Sequence, residues 1–145
     1  MLTIPQILAL GPVMPVIVID DSDKAVPLAE ALLEGDIRTI EITLRTPAAL
    51  DAISAVAGRC PDITVGAGTV NRAELAHQAR DAGATFAVSP GTTQNVILGC
   101  RAAGLPVVAG LPGCRVAGVL PRVVAGSACR VAGARAPPSR CQEVL

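Results

Sequence analysis

Hydrophobic positions along this chain fall into two alternating kinds of run: apolar stretches four to eight residues long, and longer stretches where apolar residues recur every three or four positions. The first kind predicts strands at Val13–Ile19, about Ile37–Leu44, Ile63–Gly68, Thr85–Val88 and Pro106–Ala109. The second kind predicts the helices between them. Thr3–Leu10 fits a short amphipathic cap ended by Gly11-Pro12. Ser22 or Asp23 can cap a helix whose stripe is Ala25, Leu28, Ala29, Leu32 and Leu33, with Pro27 near its first turn and Gly35 at its end. A further helix is predicted from Pro47, with Thr46 as N-cap, to about Ala57, bearing Leu50, Ile53 and Ala57 and closed by Gly58. Asn71 and Glu74 resemble a capping box opening a helix through Leu75 and Ala79 to Gly83. Thr92 or Thr93 caps the last, which carries Val96, Ile97 and Cys100 and ends at Gly104.

Successive strand starts lie 21 to 26 residues apart, the period of a βα unit. Strands apolar on both faces and joined by helices form a parallel sheet, either open and doubly wound or part of a (β/α)8 barrel. Period alone does not choose between them. Five strands complete a small open sheet but leave a barrel with an open edge, which favours association with another half-barrel.

One stretch breaks the apolar pattern. Asp36 to Pro47 reads D-I-R-T-I-E-I-T-L-R-T-P, and it sets Glu41 and Arg45 on the last part of a strand and the turn after it. A central strand wants no ionisable group without a partner or a task. The pair is either a structural ion pair or the charged part of a site. Thr43 and Thr46 add hydroxyls nearby, and Gly66-Ala67-Gly68-Thr69 ends the next strand with backbone that something can approach closely. Hydroxyls, bare backbone and charge on one rim suit a small anionic substrate.

Composition narrows the classes of function. Phe86 is the only aromatic residue, which argues against base stacking, sugar platforms and membrane-interface belts, so neither nucleic acid nor membrane is expected as a partner. Met1 to Ile19 carries no charge, but Pro5, Pro12 and Pro15 interrupt it and no Lys or Arg precedes it, against a membrane span or signal peptide. The five cysteines include no C-x-x-C pair, indicating neither a zinc site nor a disulfide framework, and a reducing cytoplasm is the simplest home. Residues 1 to 110 hold seven basic and eleven acidic side chains, whereas 111 to 145 hold five Arg and one Glu. That second segment is nearly all Ala, Gly, Val, Arg, Pro, Cys and Leu without helical or strand period. It is expected to be an unpatterned, frameshifted tail after a domain spanning 1–110; a basic arm for nucleic acid is the other reading. His77, the only histidine, and Lys24, the only lysine, are expected on solvated helical positions.

P-V-I-V-I at 15 to 19, A-V-P-L-A at 25 to 29, I-E-I-T-L-R-T at 40 to 46, V-G-A-G-T-V at 65 to 70 and F-A-V-S-P-G at 86 to 91 together resemble the KHG/KDPG aldolase family, from about Pro12 to Ala109. The resemblance implies an α/β fold of parallel βα repeats, here an incomplete TIM (β/α)8 barrel of about five strands. It implies a class I aldolase of carbohydrate metabolism, usually a homotrimer. Such a lyase cleaves 2-dehydro-3-deoxy-6-phosphogluconate, or 4-hydroxy-2-oxoglutarate, to pyruvate and an aldehyde, with no cofactor and no metal. In such enzymes a lysine forms a Schiff base with the 2-keto acid substrate. By the same resemblance Glu41 moves protons, Arg45 and Thr69 hold the carboxylate and carbonyl end, and Pro90 shapes the pocket. The family's lysine lies in an F-K-F-F-P-type strand, and no such strand occurs in this chain. The alternative is a non-catalytic α/β half-barrel that binds a protein partner or an anionic metabolite.

Overall fold

Five parallel strands and the helices that join them account for residues 2–110, the part of the chain that the computed structural model describes. What was expected of 111–145 lies outside the described residues. The elements run α1 (Ile4–Leu8), β1 (Val16–Ile17), α2 (Ala25–Glu34), β2 (Thr39–Thr43), α3 (Ala49–Arg59), β3 (Thr64–Gly68), α4 (Ala73–Asp81), β4 (Phe86–Ser89), α5 (Gln94–Ala102) and β5 (Val107–Ala109).

Strand order chooses between the two architectures that the period left open. The sheet runs β1-β2-β3-β4-β5 with every pair parallel. A doubly wound sheet reverses its order in the middle, whereas right-handed crossovers that always step the same way place every helix on one face. This is an arc of a barrel. On the helix side, Ile40, Ile42, Val65, Ala67 and Ala87 pack in one core with Ala29, Ile53, Val56, Ala76, Ala79, Val96 and Cys100. Alternation along each strand sends Glu41, Gly66 and Phe86 to the other face. There Val16 pairs with Glu41, Glu41 with Gly66 and Gly66 with Phe86, a row across four strands.

The first strand is shorter than its apolar run. Proline has no N–H to donate, and Pro15 interrupts the ladder, although its carbonyl accepts from Glu41 N–H at 2.9 Å. Threonine hydroxyls of the neighbouring segment tie the rest of the run in place. Thr39 Oγ1 donates to the Val13 carbonyl at 3.3 Å, Thr43 Oγ1 to Ile17 at 3.1 Å, and Thr46 Oγ1 to Ile19. Val16 and Val18 remain 61% and 53% exposed on the helix-free face.

Several helix starts differ from expectation, because a cap depends on where a side chain can turn. Thr46 does not cap α3, its hydroxyl being used by Ile19, and the helix begins at Ala49 rather than Pro47. Its buried side is Ala49, Ala52, Ile53 and Val56; Leu50 and Ala57 are half-buried, and Gly58 lies within the last turn. Asn71 supplies no cap to α4, which starts from Arg72 in extended conformation. The cap expected at Ser22 or Asp23 belongs to Asp21, whose Oδ1 accepts from Asp23 N–H at 3.1 Å and opens a short 3-10 turn before α2. Thr93 caps α5 as expected, accepting from Val96 N–H at 3.4 Å. Thr92 instead donates to the Gly110 carbonyl at 3.1 Å and so anchors the end of β5.

Candidate functional site

Glu41 is the acidic member of the row facing away from the helices, and its surroundings follow from what its neighbours lack. Phe86 is fully buried, and its ring lies over Gly66: a Cβ on Gly66 would overlap the ring carbons. The space directly across from Glu41 is therefore taken. The Glu41 side chain extends along the strand and lies over Gly68, where a Cβ would overlap Oε1 and stand 2.8 Å from Cδ and Cγ. The bare backbone of Gly66 and Gly68, expected to admit an outside group, is covered by the protein's own Phe86 and Glu41.

That placement brings the carboxyl to the C-terminal rim of the sheet. Leu44 N–H donates to the Gly68 carbonyl at 2.9 Å, holding the ends of β2 and β3 level. Arg45, in the turn after β2, donates from Nε to Thr69 Oγ1 at 3.2 Å. Thr69 sits at φ 60°, a conformation that costs a β-branched residue and turns the chain sharply at the end of β3. Val70 N–H then donates to the Val88 carbonyl at 3.1 Å.

Glu41 and Arg45 do not form a structural ion pair. Among the described residues the ion pairs within 4.0 Å are Lys24–Asp21 and Arg38–Asp36, all on exposed side chains. Glu41 is 7% exposed. Burial raises its pKa above the ordinary glutamate value, and the nearby Arg45 guanidinium offsets part of that rise. A guanidinium can bond both oxygens of a planar carboxylate, and a carboxyl that keeps its proton to higher pH can pass it on.

The remaining candidates separate clearly. Pro90 follows β4 on the same rim and is exposed. Thr43 and Thr46 give their hydroxyls to Ile17 and Ile19 rather than to the rim. His77 is exposed on α4, and the Lys24 side chain is 80% exposed with Nζ 3.8 Å from Asp21 Oδ2. Cys60 and Cys100 are free and buried, and burial pushes the Cys100 thiol up to about 11, so both act as small core residues. A groove of about 550 Å³ between α4 and α5, lined in part by Asn71, Arg72, Glu74, Thr93 and Asn95, is lined by none of Glu41, Arg45, Thr69 and Pro90. Volume is a weaker guide here than chemistry, since the rim gathers the buried carboxyl, the guanidinium and the strained threonine. No helix of the described residues is long and apolar enough to cross a membrane.

The raised Glu41 pKa has a consequence for stability. The folded state holds this proton more tightly than the unfolded chain, so the contribution of Glu41 favours folding below the unfolded value of 4.5 and is lost as pH rises through the higher folded value. Glu41→Gln is expected to match the native chain in melting temperature at about pH 4 and to exceed it at about pH 7, on either side of the ordinary glutamate value. Parallel melting curves for the two proteins across that range would show that Glu41 is not held in a desolvating position.

The family profile for KDPG and KHG aldolases matches residues 4–118. The 2-dehydro-3-deoxy-phosphogluconate aldolase of Pseudoalteromonas atlantica is 48% identical over 101 residues, which cover 70% of this chain and 47% of that protein. The KHG/KDPG aldolase of Escherichia coli K12 is 44% identical over 106 residues, 73% of this chain and 50% of that one. Among solved structures, the 2-keto-3-deoxy-6-phosphogluconate aldolase of Zymomonas mobilis ATCC 29191 superposes with a TM-score of 0.73 at 42% identity, covering 77% of this chain and 54% of that one. The KDPG aldolase of Legionella pneumophila, solved with pyruvate captured as a covalent carbinolamine, gives 0.68 at 41% identity, covering 72% and 50%. The chain spans about half the length of the curated relatives it matches.

Proposed function

This chain belongs to the KDPG and KHG aldolase family, and we propose that Glu41, Arg45 and Thr69 form the keto-acid end of an aldolase site. The substrates are 2-dehydro-3-deoxy-6-phosphogluconate or 4-hydroxy-2-oxoglutarate, and the products are pyruvate and an aldehyde. The observation that carries this reading is the Arg45–Thr69 hydrogen bond at 3.2 Å on the rim where Glu41 is seated. Arg45 takes the carboxylate, the Thr69 hydroxyl orients the carbonyl end, and Pro90 borders the pocket from β4. Support for a keto-acid ligand comes from the Legionella relative, whose structure was solved with pyruvate.

In the family's reaction the chemistry runs through an imine on a lysine that has no counterpart in this chain, whose only lysine is Lys24. An amine adds to the keto carbon and water leaves, and the C3–C4 bond then breaks with its electron pair drawn into the imine. The C4 hydroxyl loses its proton, C3 of the enamine gains one, and hydrolysis frees pyruvate. Glu41 is the residue placed to carry protons in these steps, and its raised pKa suits it to both giving and taking them.

The amine is not that of Lys24. A nucleophilic lysine is made by desolvation or a cationic neighbour, whereas this one is exposed beside Asp21. Incubating the full chain with pyruvate and borohydride is expected to leave its mass unchanged, while pyruvate still perturbs the Thr69 amide and Arg45 side-chain NMR signals. Labelling that disappears in Lys24→Ala would assign the nucleophile to Lys24. Absence of any perturbation at Arg45 and Thr69 would remove the keto-acid site itself.

A further inference from the structure

We propose that Gly68 is a positioning residue for Glu41: the carboxyl stays at the rim because the Cα beneath it carries no side chain. The inference rests on the reading of Glu41 as the proton-carrying group and adds to it a residue that sets where that group stands.

Glycine at 68 is not required by backbone conformation. The positive φ angles among the described glycines belong to Gly83 and Gly104, so alanine is conformationally acceptable at 68. It is required by occupancy. A Cβ there would overlap Glu41 Oε1 and lie 2.8 Å from Cδ and Cγ, and the three atoms nearest to it all belong to Glu41. Gly66 differs, because its Cβ would meet the ring of fully buried Phe86, which has nowhere to go. The end of a glutamate side chain can swing away, so substitution at 68 spares the sheet and displaces the carboxyl. The two glycines thus divide their work: Phe86 over Gly66 closes the position opposite Glu41, and Gly68 opens the one nearer the rim. Among the described residues Arg45 is the charged group that acts on Glu41 there, so the seat sets both the burial of the carboxyl and its distance from the guanidinium.

The test uses the full chain labelled with 13C-glutamate, the Glu41 carboxyl resonance being assigned by its absence in Glu41→Gln. In the native chain the titration midpoint is expected above the ordinary glutamate value. In Gly68→Ala it is expected to fall toward that value, with the chemical shifts of the strand amides kept. Melting temperatures of Gly68→Ala, Glu41→Ala and the double variant close the argument: the loss caused by alanine at 68 is expected to vanish once Glu41 is alanine. An unchanged midpoint together with additive melting shifts would overturn the proposal. Should Gly68→Ala fail to fold, a folded double variant supports the proposal and an unfolded one overturns it. None of these readouts needs pyruvate or turnover, so the aldolase reading can fail while the positioning role stands, and the reverse.

Discussion

Phe86→Ala is expected to lower the unfolding free energy by about 3–5 kcal/mol, the usual cost of emptying a large core aromatic. Phe86 is 0% exposed and is the only aromatic residue of the chain. Its ring fills the helix-free face above Gly66 at the β3–β4 pairing. Overpacking the same contact from the other side is also costly. Gly66→Ala is expected to lose about 1–3 kcal/mol, because a methyl there must displace a ring without free space. The two substitutions share one volume, so they should not add. In the Phe86→Ala background the alanine at 66 enters vacated space, and its cost should fall close to zero. Urea denaturation of the four proteins measures the coupling. Additive losses would mean that the ring does not rest on Gly66.

Arg45→Ala is expected to weaken pyruvate binding by about 10- to 100-fold, since a hydrogen-bonded charge contact contributes about 1.5–3 kcal/mol. Little change in melting temperature should accompany it. Arg45 is exposed, makes no ion pair among the described residues, and reaches Thr69 through a single hydrogen bond. Arg45→Lys should recover only part of the affinity, because an ammonium cannot present the planar fork that meets both carboxylate oxygens. Calorimetric titration with pyruvate separates these cases. Equal affinity in the native chain and Arg45→Ala would place the carboxylate elsewhere on the rim and leave the Arg45–Thr69 bond a structural one.

Local pattern carried much of this protein by itself. Short apolar runs and period-3.6 stripes located all five strands and the helices between them, because these patterns reflect which faces of a segment are buried. The break in pattern at Glu41 and Arg45 marked the rim, and I-E-I-T-L-R-T with V-G-A-G-T-V marked the family. Caps were less legible. Thr46 and Asn71 have the right chemistry and the wrong surroundings, Thr46 being used by a carbonyl 27 positions away.

What only the tertiary structure decided are the relations between distant residues. Period is the same in a doubly wound sheet and in a barrel, and the sequential strand order comes from which edges pair. The glycines of β3 could be noticed in the sequence, but not what covers them. Glu41 reaches Gly68 and Phe86 reaches Gly66 only once the strands are in register. A side chain's local preference is set by its neighbours in the chain, whereas the space it can enter is set by the atoms packed against it, and those come from other strands.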